Sequence, residues 1–433
     1  MTIVTLTRHA RGLIPAERIQ RRYVLTCLVN FAGTGLFLSG TAVFAIRVLR
    51  LSPQQISFGF SAAGLAGLLA SVYVGCFVDR FGARRAVLAA SLLQGIVDLR
   101  YCALRSFPAF MLLTCLTAAL ASCIVVAMAV HAASIAAGPE LIRLRAQARS
   151  LGNAGFGVGA GLAALVLAAG TVPVLYLLPV GDAASYFAVA ALAIWLPKGR
   201  EAAGKTAAGE TPGRPLPARR NLPFLIATGL NAVLRMHESL ILIVVPLWIV
   251  TRTSAPRPLL GLLLIMNTAG CVLFQVSASA GTETLTGSVR QVRLSAVVML
   301  PACALLALSG RTPAALAILL LTAGYAALTG TELLQSAGEW GIMYSLAPPG
   351  AQGDYVGAFG MSAAVQQIVG PGIGGWLVLR HGTGGWLTLG VIVLLAASLL
   401  GPVARWTARM MEQRHAAITA NVTLARVGVG ERD

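Results

Sequence analysis

The chain has 433 residues, 57% of them apolar and only 11% charged, whereas soluble domains carry about 25% charged residues. That deficit excludes an ordinary soluble domain. The net charge of +18 does not indicate nucleic acid either, because the basic residues fall in short clusters between apolar spans with no aromatic-studded basic domain beside them.

In chain order, residues 1–22 form a basic leader ending in Arg18, Arg21 and Arg22. The apolar stretch that follows is about 24 residues long, too long for a signal-peptide core, and reads as an uncleaved first span. A helix crossing the hydrocarbon needs roughly 20 apolar residues. Windows of that kind predict spans near 23–46, 56–78, 86–106, 108–137, 151–170 and 176–197. Residues 198–222 are polar and rich in Pro and Gly, the composition of a flexible linker. Six more spans follow near 223–250, 257–280, 294–309, 314–344, 355–379 and 384–403, and residues 404–433 make a basic tail. The predicted fold is all-α and integral to a membrane, with twelve transmembrane helices in two six-helix bundles, 23–197 and 223–403.

Basic residues are retained on the cytoplasmic side. With the N-terminus inside, 24 of the 33 basic residues lie in cytoplasmic segments. Both termini and the linker are therefore expected in the cytoplasm, and the chain in a cell or inner membrane. The halves look like an internal repeat: RAQARSLGNAG at 145–155 matches GAQGDYVGAFG at 350–360 at an offset of 205, which also pairs Gly82 with Gly287 and Arg85 with Arg290. The seven cysteines have no CxxC or CxxH spacing and read as small core residues. Five histidines are too few for a metal cluster. Neither a metal nor a cofactor is expected, and no clustered nucleophile suggests an enzyme.

The strongest motif is Gly75-Cys-Phe-Val-Asp79-Arg80-Phe-Gly82-Ala-Arg84-Arg85, between spans two and three. Gly82 permits a tight turn, Gly75 a close helix contact, and Asp79 can meet a helix N-terminus. The segment resembles the loop signature of the major facilitator superfamily, G-x-L-x-D-R-x-G-R-[KR], at Gly75, Asp79, Arg80, Gly82 and Arg84, departing at Phe77 and Ala83. The Gly-rich span five and Gly357 with the 370–375 glycines look like further family features. The resemblance implies bundles related by a pseudo-two-fold axis, and a latch of Asp79, Arg80, Gly82 and Arg84 that docks Asp79 near the start of span eleven, around Tyr355. It also implies a monomer in the lipid bilayer that moves a small-molecule substrate coupled to protons, without nucleic acid or cofactor. The family's drug exporters commonly carry an Arg in span four and often an Asp in span one; here His131 and Asn30 stand instead.

Two phosphate-binding patterns are rejected on context. Gly199-Arg-Glu-Ala-Ala-Gly204-Lys205-Thr206 fits GxxxxGK[ST], but lies in a linker too short to fold, and Gly370, Gly372 and Gly375 fit GxGxxG at membrane depth without a strand.

Ionisable residues inside spans point most directly to function, since each needs a partner or water. Span seven carries Asn231, Arg235, His237 and Glu238 near mid-membrane, and Arg235 can pair with Glu238. Span ten carries Glu332, Gln335 and Glu339 at i, i+3 and i+7, a single stripe. Arg235, His237, Glu238, Glu332, Gln335 and Glu339 form the candidate proton or substrate site, with Glu238 or Glu332 as a proton carrier. A fixed ion pair between the two spans is the alternative. Asn30, Asp98, His131, Asn267, Gln275 and Gln366 are weaker cavity candidates. Few polar groups in an apolar cavity outline suit hydrophobic or amphipathic cargo for export. A proton-linked importer of a polar metabolite, and a membrane sensor or embedded enzyme, are the competing readings.

Overall fold

The structure, a computed structural model, describes residues 14–104, 106–196, 216–348 and 350–430, apart from the side chains of 53, 72 and 415–430. Most of the linker, including the GxxxxGK[ST] segment, lies outside the described residues.

Helices account for nearly all of it. The first six are α1 (Arg18–Arg47), α2 (Pro53–Phe81), α3 (Ala83–Tyr101), α4 (Phe107–Ile135), α5 (Gly138–Ala169) and α6 (Val172–Ile194). The second six are α7 (Leu222–Arg252), α8 (Leu259–Ala278), α9 (Leu285–Ser309), α10 (Ala314–Leu346), α11 (Gln352–His381) and α12 (Thr383–Gly430). The sequence sets their ends by ordinary means. Ser52 and Gln55 make a capping box ahead of Pro53. Gly82, at φ +88°, turns the chain between α2 and α3 while its N–H closes the last turn on the Val78 carbonyl.

Among the described residues nine helices are long and apolar enough to cross a membrane, or ten if α2, bent by 48°, counts as one span. The expected twelve are present as helices but two fall short on composition. Helix α3 has 19 residues and carries Arg84, Arg85, Asp98 and Arg100. In α11 seven glycines with Gln366 and Gln367 dilute the apolar residues, and its first half is buried against other helices. Three predicted boundaries also shift. Helix α5 begins at Gly138 rather than 151, and α9 at Leu285 rather than 294. The backbone stays helical to Gly430, through the segment read as a tail. In each case the helix continues through polar, amphipathic turns beyond the apolar window that predicts the span.

Packing repeats with a period of six helices. In the first half α1 packs on α5 and α6, α2 on α4, and α3 on α4 and α6; in the second α7 packs on α11 and α12, α8 on α10, and α9 on α10 and α12. The halves meet through α2 against α11 and α5 against α8, which the same period interchanges. This is the two-bundle, pseudo-two-fold arrangement. Close approach uses small residues: a Cβ on Gly159 would stand 1.9 Å from the Ala32 carbonyl oxygen, so only glycine lets α5 lie on α1. The side on which α1 begins and α6 ends is called the terminal face below.

Candidate functional site

The site grows from a break in α7. Its first helical segment ends at Leu234, Arg235 leaves helical geometry at ψ 3°, and a short turn (Met236–Ser239) leads into a π-helical turn at Leu240–Val244. Pro246 follows; it lacks an N–H and crowds the carbonyl four residues back, which accounts for the altered winding just before it. The break presents Arg235 and Glu238 to the space between the halves.

Arg235 Nη1 donates to both carboxylate oxygens of Glu339 on α10 (2.7 and 2.8 Å), and Nη2 to Glu238 (2.5 Å). Glu339 also accepts from Asn231 Nδ2 (3.1 Å) and Gln335 Nε2 (3.0 Å), and Asn231 reaches Ser362 on α11 (2.9 Å). Glu339 is thus a buried, fully engaged carboxylate, whereas Glu238, bonded among the described residues only to Arg235 and with its side chain 22% exposed, is the open edge of the network. About two turns away along α10, Glu332 accepts from Asn267 Nδ2 on α8 (2.9 Å) and from Arg149 Nη2 on α5 (3.0 Å). The second bond joins the two halves. Arg149 and Glu332 side chains are 25% and 13% exposed, so this pair also borders open space. Two arginines face three glutamates, leaving the cluster one negative charge in excess.

Of the sequence candidates, Arg235, Glu238, Glu332, Gln335, Glu339 and Asn267 come together here, and Gln275 lies beside them, bonded to Ser336 (3.0 Å). His237 is buried, with Nδ1 3.1 Å from the Leu234 carbonyl oxygen and, among the described residues, no hydrogen-bond partner at Nε2. Asn30, Asp98, His131 and Gln366 stand apart: among the described residues no hydrogen bond or ion pair joins them to the cluster. His131 lies beside the Tyr23 ring and Gln366 bonds Ser239 (2.6 Å). Two features differ from the sequence expectation. The main partner of Arg235 is Glu339, with Glu238 second. The cation of Glu332 is Arg149, which sequence reasoning placed in a loop by starting span five too late; its recurrence with Arg145 on one helix face was the available signal. An apolar crevice of about 220 Å³ flanks the broken α7, lined by Val233, Met236, Val369, Ile373, Leu389 and Val393 among others.

At the terminal face the halves are closed on each other. Asp79 Oδ1 and Oδ2 accept from the backbone N–H groups of Gly353 (2.8 Å) and Asp354 (2.9 Å), capping the N-terminus of α11 two residues before Tyr355. Gly75 permits this: a Cβ there would stand 2.2 Å from the Gly353 carbonyl oxygen. Asp354 in turn accepts from Ala218 N (2.7 Å). On the same face Arg84 caps the C-terminal end of α6, donating to the carbonyls of Ala193 (3.2 Å) and Ile194 (2.7 Å), while Arg80 is exposed against Phe81. Nearer the cluster, the Arg145 guanidinium lies 3.8 Å over the Trp340 ring and donates to Tyr23 (2.8 Å), and Tyr344 donates to the Ala129 carbonyl of α4 (2.9 Å). Among the described residues no group of three or more His, Cys, Asp or Glu side chains could hold a metal.

A family profile, the Major Facilitator Superfamily, matches residues 23–365. The chain belongs to this superfamily. Solved structures of superfamily-like shape agree at the level of fold. The human organic anion transporter MFSD10 (TETRAN) is 16% identical, with a TM-score of 0.66 over 89% of this chain and 100% of that one. A bacterial homologue of the iron transporter ferroportin, in an outward-facing state with soaked iron, is 14% identical, with a TM-score of 0.66 over 90% and 100%. The proton:xylose symporter XylE bound to 6-bromo-6-deoxy-D-glucose is 14% identical, with a TM-score of 0.67 over 88% and 94%. No curated protein matches significantly. As a member of the superfamily the chain is a multi-pass membrane transporter and not an enzyme, and its surroundings are the lipid bilayer and a small substrate.

Proposed function

We propose that this transporter exports small amphipathic molecules, bearing a positively charged group, across the cell membrane by alternating access in exchange for protons. The observation that carries the reading is the Arg149–Glu332 pair, an ion pair between the halves that borders open space at mid-helix. Opening the terminal face separates α5 from α10, so it must break this pair, the Arg145–Trp340 contact and the Asp79 cap on α11. A cargo cation that takes the place of Arg149 at Glu332, or binds the open carboxylate of Glu238, biases that equilibrium by its differential contact with the two states. The excess negative charge favours a cationic group, and the apolar crevice behind Met236 suits an apolar body. The bias of basic residues supports a cytoplasmic terminal face, with both termini, the linker 198–222 and the Asp79 latch inside, and a monomer of two six-helix bundles satisfies the interface without a second copy.

The test is flux into inverted vesicles under an imposed proton gradient, using a panel of amphipathic cations, anions and neutral polar metabolites. Gradient-dependent accumulation of cations, reduced in Glu238→Gln and Glu332→Gln, is expected. Accumulation of no compound in the panel would sink the transport reading, and uptake of polar metabolites in right-side-out vesicles would replace export by import.

A further inference from the structure

The N-terminal half contains two carboxylates that the central cluster does not use. Asp98 on α3 is fully buried and Asp182 on α6, which packs on α3, is 3% exposed. By the rise of about 1.5 Å per residue they lie roughly 18–22 Å from the terminal face, at membrane depth. Helix α3 touches α6 about one turn from both acids, where a Cβ on Gly95 would stand 2.8 Å from the Phe187 ring, so the two lie at the same level of packed helices. Asp98 Oδ1 accepts from Gln94 Nε2 (2.8 Å), but Asp98 Oδ2 and Asp182 Oδ1 have no hydrogen-bond donor. Gln94, also fully buried, gives its amide N–H groups to Asp98 and Thr117 (3.3 Å), and its own Oε1 is left without a donor. The pocket is fitted closely around the pair, since a Cβ on Gly33 of α1 would stand 2.6 Å from Asp182 Oδ1.

Among the described residues nothing cationic pairs with it. The titratable groups that act on the two acids are the phenols of Tyr101 on α3 and Tyr186 on α6, with the Cys115 thiol of α4 behind Tyr101. Arg100, two residues along α3, is exposed, and among the described residues no Lys, Arg or His pairs with either acid. Two ionised carboxylates at this depth would each lose their hydration and would repel each other. A proton removes one of the charges. It also supplies an O–H donor to a pocket in which Asp98 Oδ2, Asp182 Oδ1 and Gln94 Oε1 have none, the Tyr101 hydroxyl beside them being unpartnered as well.

We propose that Asp98 and Asp182 hold one exchangeable proton between them, and that this pair, rather than the arginine-bound acids of α7 and α10, carries the coupling proton. The proton site stands on its own; its coupling role rests on the transport reading. The route to the cargo cluster is short. Asp182 lies against α1, and α1 packs along α5, the helix that carries Arg149.

The experiment uses the full chain in lipid nanodiscs and proteoliposomes. Infrared difference spectra at neutral pH should show a protonated-carboxyl stretch that D98N/D182N removes and E238Q/E332Q retains. In proteoliposomes the double variant should still equilibrate a cationic cargo but lose its accumulation under a proton gradient down to the gradient-free level. A band unchanged in D98N/D182N overturns the site. A band absent from the wild type, with stabilisation by sodium, makes it an alkali-cation site and overturns it equally. A band lost while gradient-driven accumulation persists overturns the coupling role alone. A band present with no gradient-driven flux in the wild type counts against the transport reading and leaves the proton site standing. Should the double variant fail to fold, D98N and D182N singly should each convert the two-step titration of the pair into a single step, and an unchanged two-step titration overturns the proposal.

Discussion

The two halves share one scheme of helix pairing but distribute charge in opposite ways. In the C-terminal half every buried acid of the site has a cation, Glu339 and Glu238 sharing Arg235 and Glu332 meeting Arg149 from across the interface. In the N-terminal half Asp98 and Asp182 are buried with none among the described residues. The same asymmetry recurs at the loops related by the 205-residue offset. Asp79 reaches across to cap α11 in the other half, whereas Thr284, its counterpart, caps only its own helix through Gly287 N (3.1 Å). Under the proposed function, duplicated packing supplies the moving frame, and the departures from duplication are where cargo, proton and latch would sit.

The largest effect should come from breaking a satisfied charge. Arg235→Ala leaves Glu339 buried with an uncompensated charge and should cost about 3–5 kcal/mol of stability, whereas Asp98→Asn, which strands no cation, should cost less than about 1 kcal/mol. Denaturant unfolding of both variants in one detergent measures the contrast, and equal losses would erase the distinction between the halves. Next comes the latch. Asp79→Ala removes two bonds from an ionised acceptor and should weaken closure of the terminal face by about 1.5–3 kcal/mol, a roughly ten- to hundred-fold population shift. Thr284→Ala, which loses only a local cap, should lower stability by about 1 kcal/mol and leave the conformational balance alone. Accessibility of a reporter cysteine at the start of α11 separates the two outcomes. The smallest effect is expected for Trp340→Leu, which removes the ring beneath Arg145 and should weaken the closed state by about 0.5–2 kcal/mol in the same assay.

Much of the fold was legible in the sequence, because apolar windows and loop charges report directly on what a bilayer requires. Boundaries were legible only where the apolar window ended with the helix. At α5 the helix runs a further three turns through Arg145 and Arg149, polar residues that look like loop until their partners, Tyr23 and Trp340 for the first and Glu332 for the second, are seen. That single boundary hid the cation of Glu332. The stripe on α10 could be read from spacing, but its division into a buried Glu339 and a bridging Glu332 depends on α5, α7 and α8 meeting there, which no local pattern encodes. Asp182 was passed over for a different reason: a lone acid in an apolar span gains meaning only when Asp98 is found beside it.

The central claim is that the terminal face is one side of an alternating gate whose closed position is held by α2 against α11. The most direct measurement is the distance between spin labels at residues 80 and 352 in proteoliposomes, on a background with Cys76 replaced, with and without a proton gradient and cargo. The account predicts a short and a long population, exchanged by gradient and cargo and shifted to the long one by Asp79→Ala. A single short distance, unchanged by gradient, cargo and that substitution, would contradict it.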